Sequence, residues 1–249
     1  MNLQTDQVGL NNCLADEVRG RVAALDRELC EEWGGEWIDG TATVTNPAGD
    51  RYQQRTVVRS EQDALDAFEK YEQYAQHVLR TFEQSNPDAV MLPCGANKPI
   101  GSSSIHRRKL AALDAAGLGD TCDVLILSEP CTIVPHDERL TLAAANYDFP
   151  PEYTDATDYP DVHAVFAERV ARFIDATDYG TIFAYLPAGH WSVLDSAMDR
   201  TDGSTNVVRV SGASFNPETG AFCGDLMQSA EVIAAKLWYT ARHATEGRI

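Results

Sequence analysis

The spacing of apolar and polar residues changes along the first third of the chain. Residues 12–29 have helical spacing, while residues 37–44 and 52–58 alternate like two strands of a hairpin. Ser60 then stands where a helix cap is expected. A helical apolar stripe follows it, formed by Leu65, Phe68, Tyr71, Ala75, Val78, Leu79 and Phe82. The pattern therefore predicts a helix and a hairpin, followed by a long amphipathic helix.

Beyond this helix, short apolar runs alternate with helical segments. The runs typical of buried strands are 88–94, 122–130, 181–187 and 207–210. The segments with helical spacing are 104–116, 137–145, 160–176 and 222–238. This alternation predicts an α/β fold, a three-layer sandwich with a mainly parallel central sheet. We assign residues 1–60 to an N-terminal extension and residues 61–249 to the α/β core domain.

The predicted sheet has one edge at which ligands are expected. In parallel sheets, ligands bind beyond the carboxyl ends of the strands. Four loops meet at that edge, namely 93–104, 129–137, 187–192 and 211–216. Their chemically reactive side chains are Cys94, Lys98, Ser102, Ser103, Ser104, Cys131, His136, His190 and Ser214. Any active site is therefore predicted there, with His190 in a loop after the third strand.

The composition is strongly acidic, with 38 Asp and Glu residues against 20 Lys and Arg and a net charge of −18. Concentrated salt screens such repulsion, so we predict a halophilic source. The charge disfavours nucleic-acid binding by electrostatics alone. No apolar run approaches roughly 18 residues, and the first residues lack the pattern of a signal peptide. We expect a cytoplasmic protein without a membrane partner.

The cysteine pattern gives no sign of a metal centre. None of the six cysteines lies in a CxxC pair, and no short Cys/His spacing repeats. The sequence therefore predicts neither a structural zinc site nor a cofactor.

Residues 93–106, PCGANKPIGSSSIH, concentrate several reactive groups, and two interpretations are open. In the first, Cys94 precedes a helix N-terminus whose N–H groups stabilise a thiolate, Lys98 adds positive charge, and His106 shuttles protons. In the second, the cysteine is packed and the run is an ordinary polar loop. The glycines and serines could cradle an anion, or a serine could simply cap the helix.

Three motifs in order resemble the archaeosine synthase core domain family. PCGANKPIGSSSIH is similar to its PCxxxKPYxxSxxH motif, although Ile100 stands where the family has tyrosine. SEPCTIVPHDERL resembles the segment around VPxELE, and AANYDFP resembles PAANYDIP. The matching positions are Pro93, Cys94, Lys98, Pro99, Ser103, His106, Pro135, Glu138, Asn146, Tyr147 and Asp148. The resemblance covers residues 85–240.

The resemblance implies a uracil-DNA-glycosylase-like fold, an archaeal source and a role in tRNA modification. The implied reaction adds free lysine to the nitrile of 7-cyano-7-deazaguanine in tRNA, and a radical enzyme partner converts the adduct to archaeosine. We predict the catalytic residues to be Cys94, Lys98, His106 and Asp148. With the loop placement included, the predicted substrate-binding residues are Pro93, Gly95, Ser103, Pro135, Glu138, Asn146, Tyr147 and His190.

Other functions remain open. Full-length members of the family carry an RNA-binding module, and none is visible after 222–238, so we expect a separate RNA-binding subunit or a modified DNA substrate. The chain could instead be a non-catalytic subunit that recognises the modified base. By analogy of fold, it could also be a nucleobase glycosylase or transglycosylase.

Overall fold

The computed structural model describes only part of the chain. It covers residues 56–95, 104–139, 144, 147–210, 237, 240 and 241, together with the backbone of strands at 36–38, 41–43, 213–216 and 221–224. The predicted helix at 12–29 lies outside the described residues.

A five-stranded sheet forms the centre of the described structure. Its strands are β4 (Asp88–Pro93), β5 (Cys122–Ser128), β6 (Thr132–Pro135), β8 (Thr181–Ala184) and β9 (Asn206–Arg209). Their spatial order in the sheet is β6-β5-β4-β8-β9. The pairs β4–β5, β4–β8 and β8–β9 are parallel, and β5–β6 is antiparallel. The prediction of an α/β fold with a mainly parallel sheet is confirmed.

Three further pairs of short strands lie outside this sheet. They comprise β1 (Glu36–Ile38) with β2 (Thr41–Thr43), β3 (Thr56–Val57) with β7 (Tyr147–Asp148), and β10 (Ala213–Asn216) with β11 (Ala221–Gly224). The β3–β7 pair is parallel, and the other two pairs are antiparallel.

The helices with described bounds flank the sheet: α1 (Glu61–Thr81), α2 (Ser104–Ala115), α3 (Pro160–Asp175) and α4 (Ala188–Met198). Short 3₁₀ helices occur at His136–Glu138 and Pro151–Thr154. The predicted cap of α1 is present, because Ser60 Oγ accepts a hydrogen bond from the Asp63 N–H at 3.1 Å. Gly117 follows the end of α2 with φ of +71°, a conformation that glycine adopts without strain.

The core lies on both faces of the sheet. Alternate residues of β4 point to opposite sides: Ala89 and Met91 pack with α1, α3 and α4, whereas Val90 and Leu92 pack with α2. Such buried parallel strands are apolar throughout, which explains why DAVMLP has no polar alternation after its first residue. The four layer-forming helices therefore hold the sheet from both sides and leave its carboxyl edge for the connecting loops.

Several local predictions were wrong. Among the described residues, the first strand pairs with Thr41–Thr43, and Thr56–Val57 pairs with β7. Phe222, expected in the final helix, lies in β11, although Leu237, Thr240 and Ala241 are helical. His190 and its neighbour belong to the first turn of α4, not to a loop. In each case a tertiary pairing or helix start overrides a short sequence pattern.

Within the described residues, none of the helices has the length and apolar character required to cross a bilayer.

Candidate active site

Three neighbouring strands deliver one reactive side chain each to the carboxyl edge of the sheet. Cys94 directly follows β4, Glu129 directly follows β5, and His190 lies in the first turn of α4 after β8. The N–H of Cys94 donates to Leu127 O at 2.9 Å, which continues the β4–β5 ladder beyond the last paired residue. Because β4 lies between β5 and β8, these connections bring the three groups together.

Glu129 bridges the other two side chains. The Cys94 thiol donates to Glu129 Oε2 at 3.2 Å, and His190 Nε2 lies 2.6 Å from Glu129 Oε1. Glu129 is only 1% exposed and His190 6%, while Cys94 is half-buried. The carboxylate thus links a partly accessible thiol to a buried imidazole.

The Glu129–His190 contact is an ion pair at neutral pH. Burial alone raises the pKa of Glu129, but the charge and hydrogen bond of His190 outweigh it and hold that pKa below its ordinary value. Burial alone lowers the pKa of His190, but the Glu129 carboxylate and Cys94 raise it to about 10. His190 Nδ1 is buried and makes no hydrogen bond to any described residue. The cluster therefore contains a proton-bearing imidazolium beside its carboxylate.

The turn that carries Glu129 is tightly shaped. Ser128 pairs with Thr132, so Glu129, Pro130 and Cys131 form the whole connection between β5 and β6. Thr132 has φ of +81°, which is rare for a β-branched residue and costs roughly 1–3 kcal/mol. Such strain persists only where the surrounding contacts hold the backbone of the turn in place.

Tyr147 supports the same turn from β7. Its hydroxyl forms a hydrogen bond with Ser128 Oγ, and its ring packs edge-on against Tyr71 with centroids 5.9 Å apart. Burial, with the nearby charges of Cys131 and Cys94, holds the pKa of Tyr147 well above its ordinary value. Tyr147 is thus a neutral hydrogen-bonding residue beside the site, at a position predicted to bind substrate.

His106 ties α2 to the end of β4. Its ring is 2% exposed, and Nε2 lies within hydrogen-bonding distance, 2.9 Å, of Pro93 O. A Cβ atom added to Gly95 would lie 2.9 Å from His106 Cε1, closer than real Cβ contacts. Glycine at 95 is therefore required for the ring to pack here. The predicted proton-shuttle role of His106 stays a prediction, with Nε2 already engaged by the backbone.

Lys109, one turn along α2 from His106, is also buried, with 2% of its surface exposed. Burial lowers the pKa of its amine to about 8, and the charge of Cys94 opposes this shift. A buried lysine in α2 is a feature that the sequence pattern did not single out.

The other predicted site residues have different environments. Pro93 and Pro135 end β4 and β6, and Asp148 is exposed on β7. Glu138 is half-buried, and its Oε1 atom lies 3.7 Å from His77 Nε2. The described distances do not connect Asp148 or Glu138 to Cys94. Lys98, Ser103 and Asn146 lie outside the described residues.

Sequence reasoning missed Glu129 and Lys109. Glu129 is one of 38 acidic residues in an acidic chain, so its residue type carried no signal. Its position directly after a buried strand is the same signal that identified Cys94, and would have found it. Lys109 could have been noticed by its spacing of three residues from His106, which places both on one face of a helix.

The cluster also has the donor atoms of a metal site. Cys94, Glu129 and His190 each offer one ligand atom, all within 4.8 Å of one another. Two zinc ligands at about 2.0–2.1 Å from a tetrahedral ion stand roughly 3.3 Å apart. The 2.6 Å between His190 Nε2 and Glu129 Oε1 is instead a hydrogen-bond distance. The observed geometry is that of an ion pair with a hydrogen-bonded thiol.

The fold and the site define an α/β protein with a thiol–carboxylate–imidazole cluster at the carboxyl edge of its sheet. The sequence profile of one family, described as domain of unknown function DUF5591, matches residues 71–219. This is more than half of the chain and includes all three residues of the cluster. The chain belongs to this family.

Two archaeosine synthases resemble the chain at low sequence identity. Archaeosine synthase of Haloferax volcanii is 25% identical over 173 residues, which span 69% of this chain and 28% of that protein. Archaeosine synthase subunit alpha of Thermoplasma acidophilum is 26% identical over 112 residues, 45% of this chain and 21% of that protein. The matches thus cover less than a third of either relative.

Among solved structures, the crystal structure of AF0587, a protein of unknown function, resembles part of the chain. The TM-score is 0.46 at 16% identity, over 66% of this chain and 48% of that chain.

Proposed function

We propose that this chain modifies 7-deazaguanine in tRNA, joining the amine of lysine to the nitrile of 7-cyano-7-deazaguanine on the route to archaeosine. The similarity to two archaeosine synthases supports the substrate class. The observation that carries the chemistry is the hydrogen bond from the Cys94 thiol to Glu129, whose carboxylate is paired with His190.

The proposed first step is addition of the thiol across the nitrile. Cys94 Sγ forms a bond to the nitrile carbon, one C–N π bond breaks, and the nitrogen takes up a proton to give a thioimidate. Glu129 Oε2 accepts the S–H hydrogen bond, so it is placed to take the thiol proton and pass it to the nitrile nitrogen. His190 holds the carboxylate in place.

In the second step the lysine amine attacks the thioimidate carbon. The carbon–sulfur bond then breaks, the sulfur recovers a proton through Glu129, and the product is an amidine. Nitrile and amine together supply all the atoms of the product, so no oxidant or reductant is required. Asp148 or Glu138 would hold the lysine ammonium and accept its proton, and Lys98 would bind a carboxylate or phosphate.

An exposed arginine supplies positive charge at the same edge of the sheet. Arg209, the last residue of β9, stacks over the ring of Trp191, with its guanidinium carbon 4.8 Å from the ring centroid. Trp191 follows His190 in α4. In a chain with net charge −18, this placement supports a substrate that carries phosphate next to the reacting base.

The test is lysine transfer to a defined substrate. The protein is incubated in molar salt with labelled lysine and either tRNA or DNA containing 7-cyano-7-deazaguanine, and the nucleosides are analysed by mass spectrometry. Label in tRNA is the expected result, and label in DNA alone would move the substrate to DNA. Release of free base without lysine would instead identify a glycosylase.

The covalent step is tested with Cys94→Ser. We expect loss of the lysine adduct, with Cys122→Ala as the matched control because Cys122 starts β5 at the opposite edge of the sheet. Full adduct formation by Cys94→Ser would show that no thioimidate forms. If no sample forms an adduct, the chain is either a non-catalytic subunit or an enzyme that requires a separate RNA-binding subunit. Adding an archaeosine synthase RNA-binding module to the reaction distinguishes the two, because only the second would then form the adduct.

A further inference from the structure

A small cavity lies between the β5–β6 connection, α1 and α3. Its volume is about 10 Å³, which is room for one particle about the size of a water molecule. Its polar or polarisable wall consists of Cys131 and Thr132 from the connection and Arg169 and Arg172 from α3. The rest of the wall is apolar and comprises Ala75, Val78, Leu79, Ile133 and Phe173. Cys94, Glu129 and His190 do not line it, so the cavity is separate from the candidate active site.

Three polar groups in the wall of this cavity are buried without a partner. Arg169 Nη1, Arg172 Nε and Thr132 Oγ1 make no hydrogen bond to any described residue. Thr132 is only 3% exposed and Arg169 only 7%. Buried polar groups are nearly always hydrogen-bonded, because an unsatisfied one destabilises the fold. The two nitrogens are N–H donors and the hydroxyl can donate as well, so all three groups suit an acceptor held in the cavity.

The residues around the cavity also carry unbalanced positive charge. Glu72 Oε2 lies 2.7 Å from Arg169 Nη2, and Glu72 Oε1 lies 3.1 Å from Arg172 Nη1. One carboxylate therefore serves two guanidinium groups, and arginine stays charged in proteins. Glu168 also interacts with Arg169, but it is exposed, where the high dielectric of water weakens its effect. The wall of the cavity thus combines unpartnered donors with about one excess positive charge.

We infer that this cavity binds one small anion of halide size, chloride in ordinary salt solution. The N–H groups of Arg169 and Arg172 and the Thr132 hydroxyl donate to the ion, and its charge balances the second arginine. The volume excludes a nucleotide or an amino acid. The ion connects α3 to the first residue of β6, so it stabilises the packing of that helix on the sheet. The assignment does not depend on the proposed function, because it involves no tRNA, no lysine and no residue of the candidate active site.

The experiment measures how stability depends on chloride. An ion that binds the folded chain and not the unfolded chain raises the folding equilibrium constant, by about tenfold for each tenfold rise in ion concentration above the dissociation constant. Urea unfolding is followed in constant molar sodium, with chloride replaced stepwise by gluconate, which is too large for the cavity. The two anions also act differently on the protein surface, but that effect is shared by wild type and variants and cancels in their difference.

Two variants remove donors from the cavity. Arg169→Met removes a guanidinium group, and Thr132→Val removes only the hydroxyl while it keeps the branched side chain at a φ of +81°. We expect each variant to lose most of the chloride dependence of the wild type. Arg200→Met is the matched control, because Arg200 is an exposed arginine outside the cavity wall and its loss changes the net charge by the same amount. This control should keep the full chloride dependence.

The inference is overturned if the stability of the folded variants depends on chloride as strongly as that of the wild type, or if the wild type itself shows no dependence. A loss of stability that is the same at every chloride concentration would show that the two side chains act only structurally, which also overturns it. Thr132→Val decides the question if Arg169→Met does not fold. Crystals grown in bromide give a direct check: an anomalous peak between Arg169 and Thr132 is expected, and a water molecule without anomalous signal there would refute the anion.

Discussion

Replacement of Glu129 by glutamine tests whether the carboxylate and His190 form an ion pair. The change keeps the shape of the side chain and its capacity for hydrogen bonds, but removes the charge that faces a buried imidazole at 2.6 Å. His190 then loses the largest contribution to its raised pKa, while its interaction with Cys94 remains and burial favours the neutral imidazole. We expect a less stable protein at neutral pH.

The size of the effect follows from His190. The difference between its pKa of about 10 and the ordinary 6.5, at about 1.4 kcal/mol per pH unit, corresponds to about 5 kcal/mol. Breaking a buried ion pair by removing one partner costs about 3–5 kcal/mol, in the same range. Relaxation of the site reduces the first figure, so we expect Glu129→Gln to lower the free energy of unfolding by roughly 3–5 kcal/mol at pH 6.

The pH dependence gives a sharper test than the magnitude. A group with a raised pKa in the folded state contributes its full stability below the unfolded pKa, here 6.5, and loses it as the pH rises through about 10. The difference between wild type and Glu129→Gln should therefore be largest at pH 6 and small at pH 9.5. Lys109 titrates in this interval in both proteins, so its contribution largely cancels in the difference.

The assay is urea unfolding at pH 6 and pH 9.5 in fixed salt, followed by the fluorescence of tryptophan, including buried Trp191 beside His190. Glu72→Gln is the control, because Glu72 pairs with Arg169 and Arg172, which remain charged over this range. Its effect should be the same at both pH values. An equal effect of Glu129→Gln at pH 6 and pH 9.5 would refute the ion pair.

Two further predictions concern residues that position the site and the sheet. Gly95→Ala places a Cβ against the His106 ring, so we expect the contact between His106 and Pro93 to be lost. The variant should have a lower melting temperature, and Cys94 should be alkylated more slowly. An unchanged rate of alkylation would show that this contact does not position the thiol. Ser60→Ala removes the cap of α1 and should lower the free energy of unfolding by about 1 kcal/mol in urea, with Cys94 alkylation unchanged. A Ser60→Ala protein as stable as wild type would show that the cap bond is not maintained in solution.

The strands could be predicted because the buried parallel strands are almost continuously apolar. DAVMLP and CDVLILS have few competing interpretations. Ligands bind beyond the carboxyl ends of parallel strands, so the loop after each strand is expected at the ligand-binding edge of the sheet. That rule brought the loops of Cys94 and His190 to one edge, and the structure places both side chains in one cluster. It could not show that His190 lies in the first turn of a helix, because the tripeptide Ala-Gly-His after Pro187 fits a loop or a helix start equally well.

The partners of Cys94 could not be predicted from residue type. Position after a buried strand singles out Glu129 as it does Cys94, but its place beside the thiol depends on the pairing of Ser128 with Thr132, which turns the chain immediately after β5. The spacing from His106 places Lys109 on the same helix face, but not its burial, because an amphipathic pattern normally places lysine at the surface. β6 was missed because TIVP is too short for its alternation to be recognised and because its antiparallel pairing depends on that same turn.

The β5–β6 turn also implies an order of assembly. Glu129 reaches its place through a hairpin whose paired residues are close in sequence, whereas Cys94 and His190 lie 35 and 61 positions away from it. Local pairings form before distant ones because they close shorter loops. The carboxylate would thus be set early in folding, the thiol would reach it when β4 pairs with β5, and the imidazole would arrive last, with β8 and α4. Chemical protection of Cys94 during refolding would then mark the pairing of β4 with β5, before β8 and α4 complete the cluster.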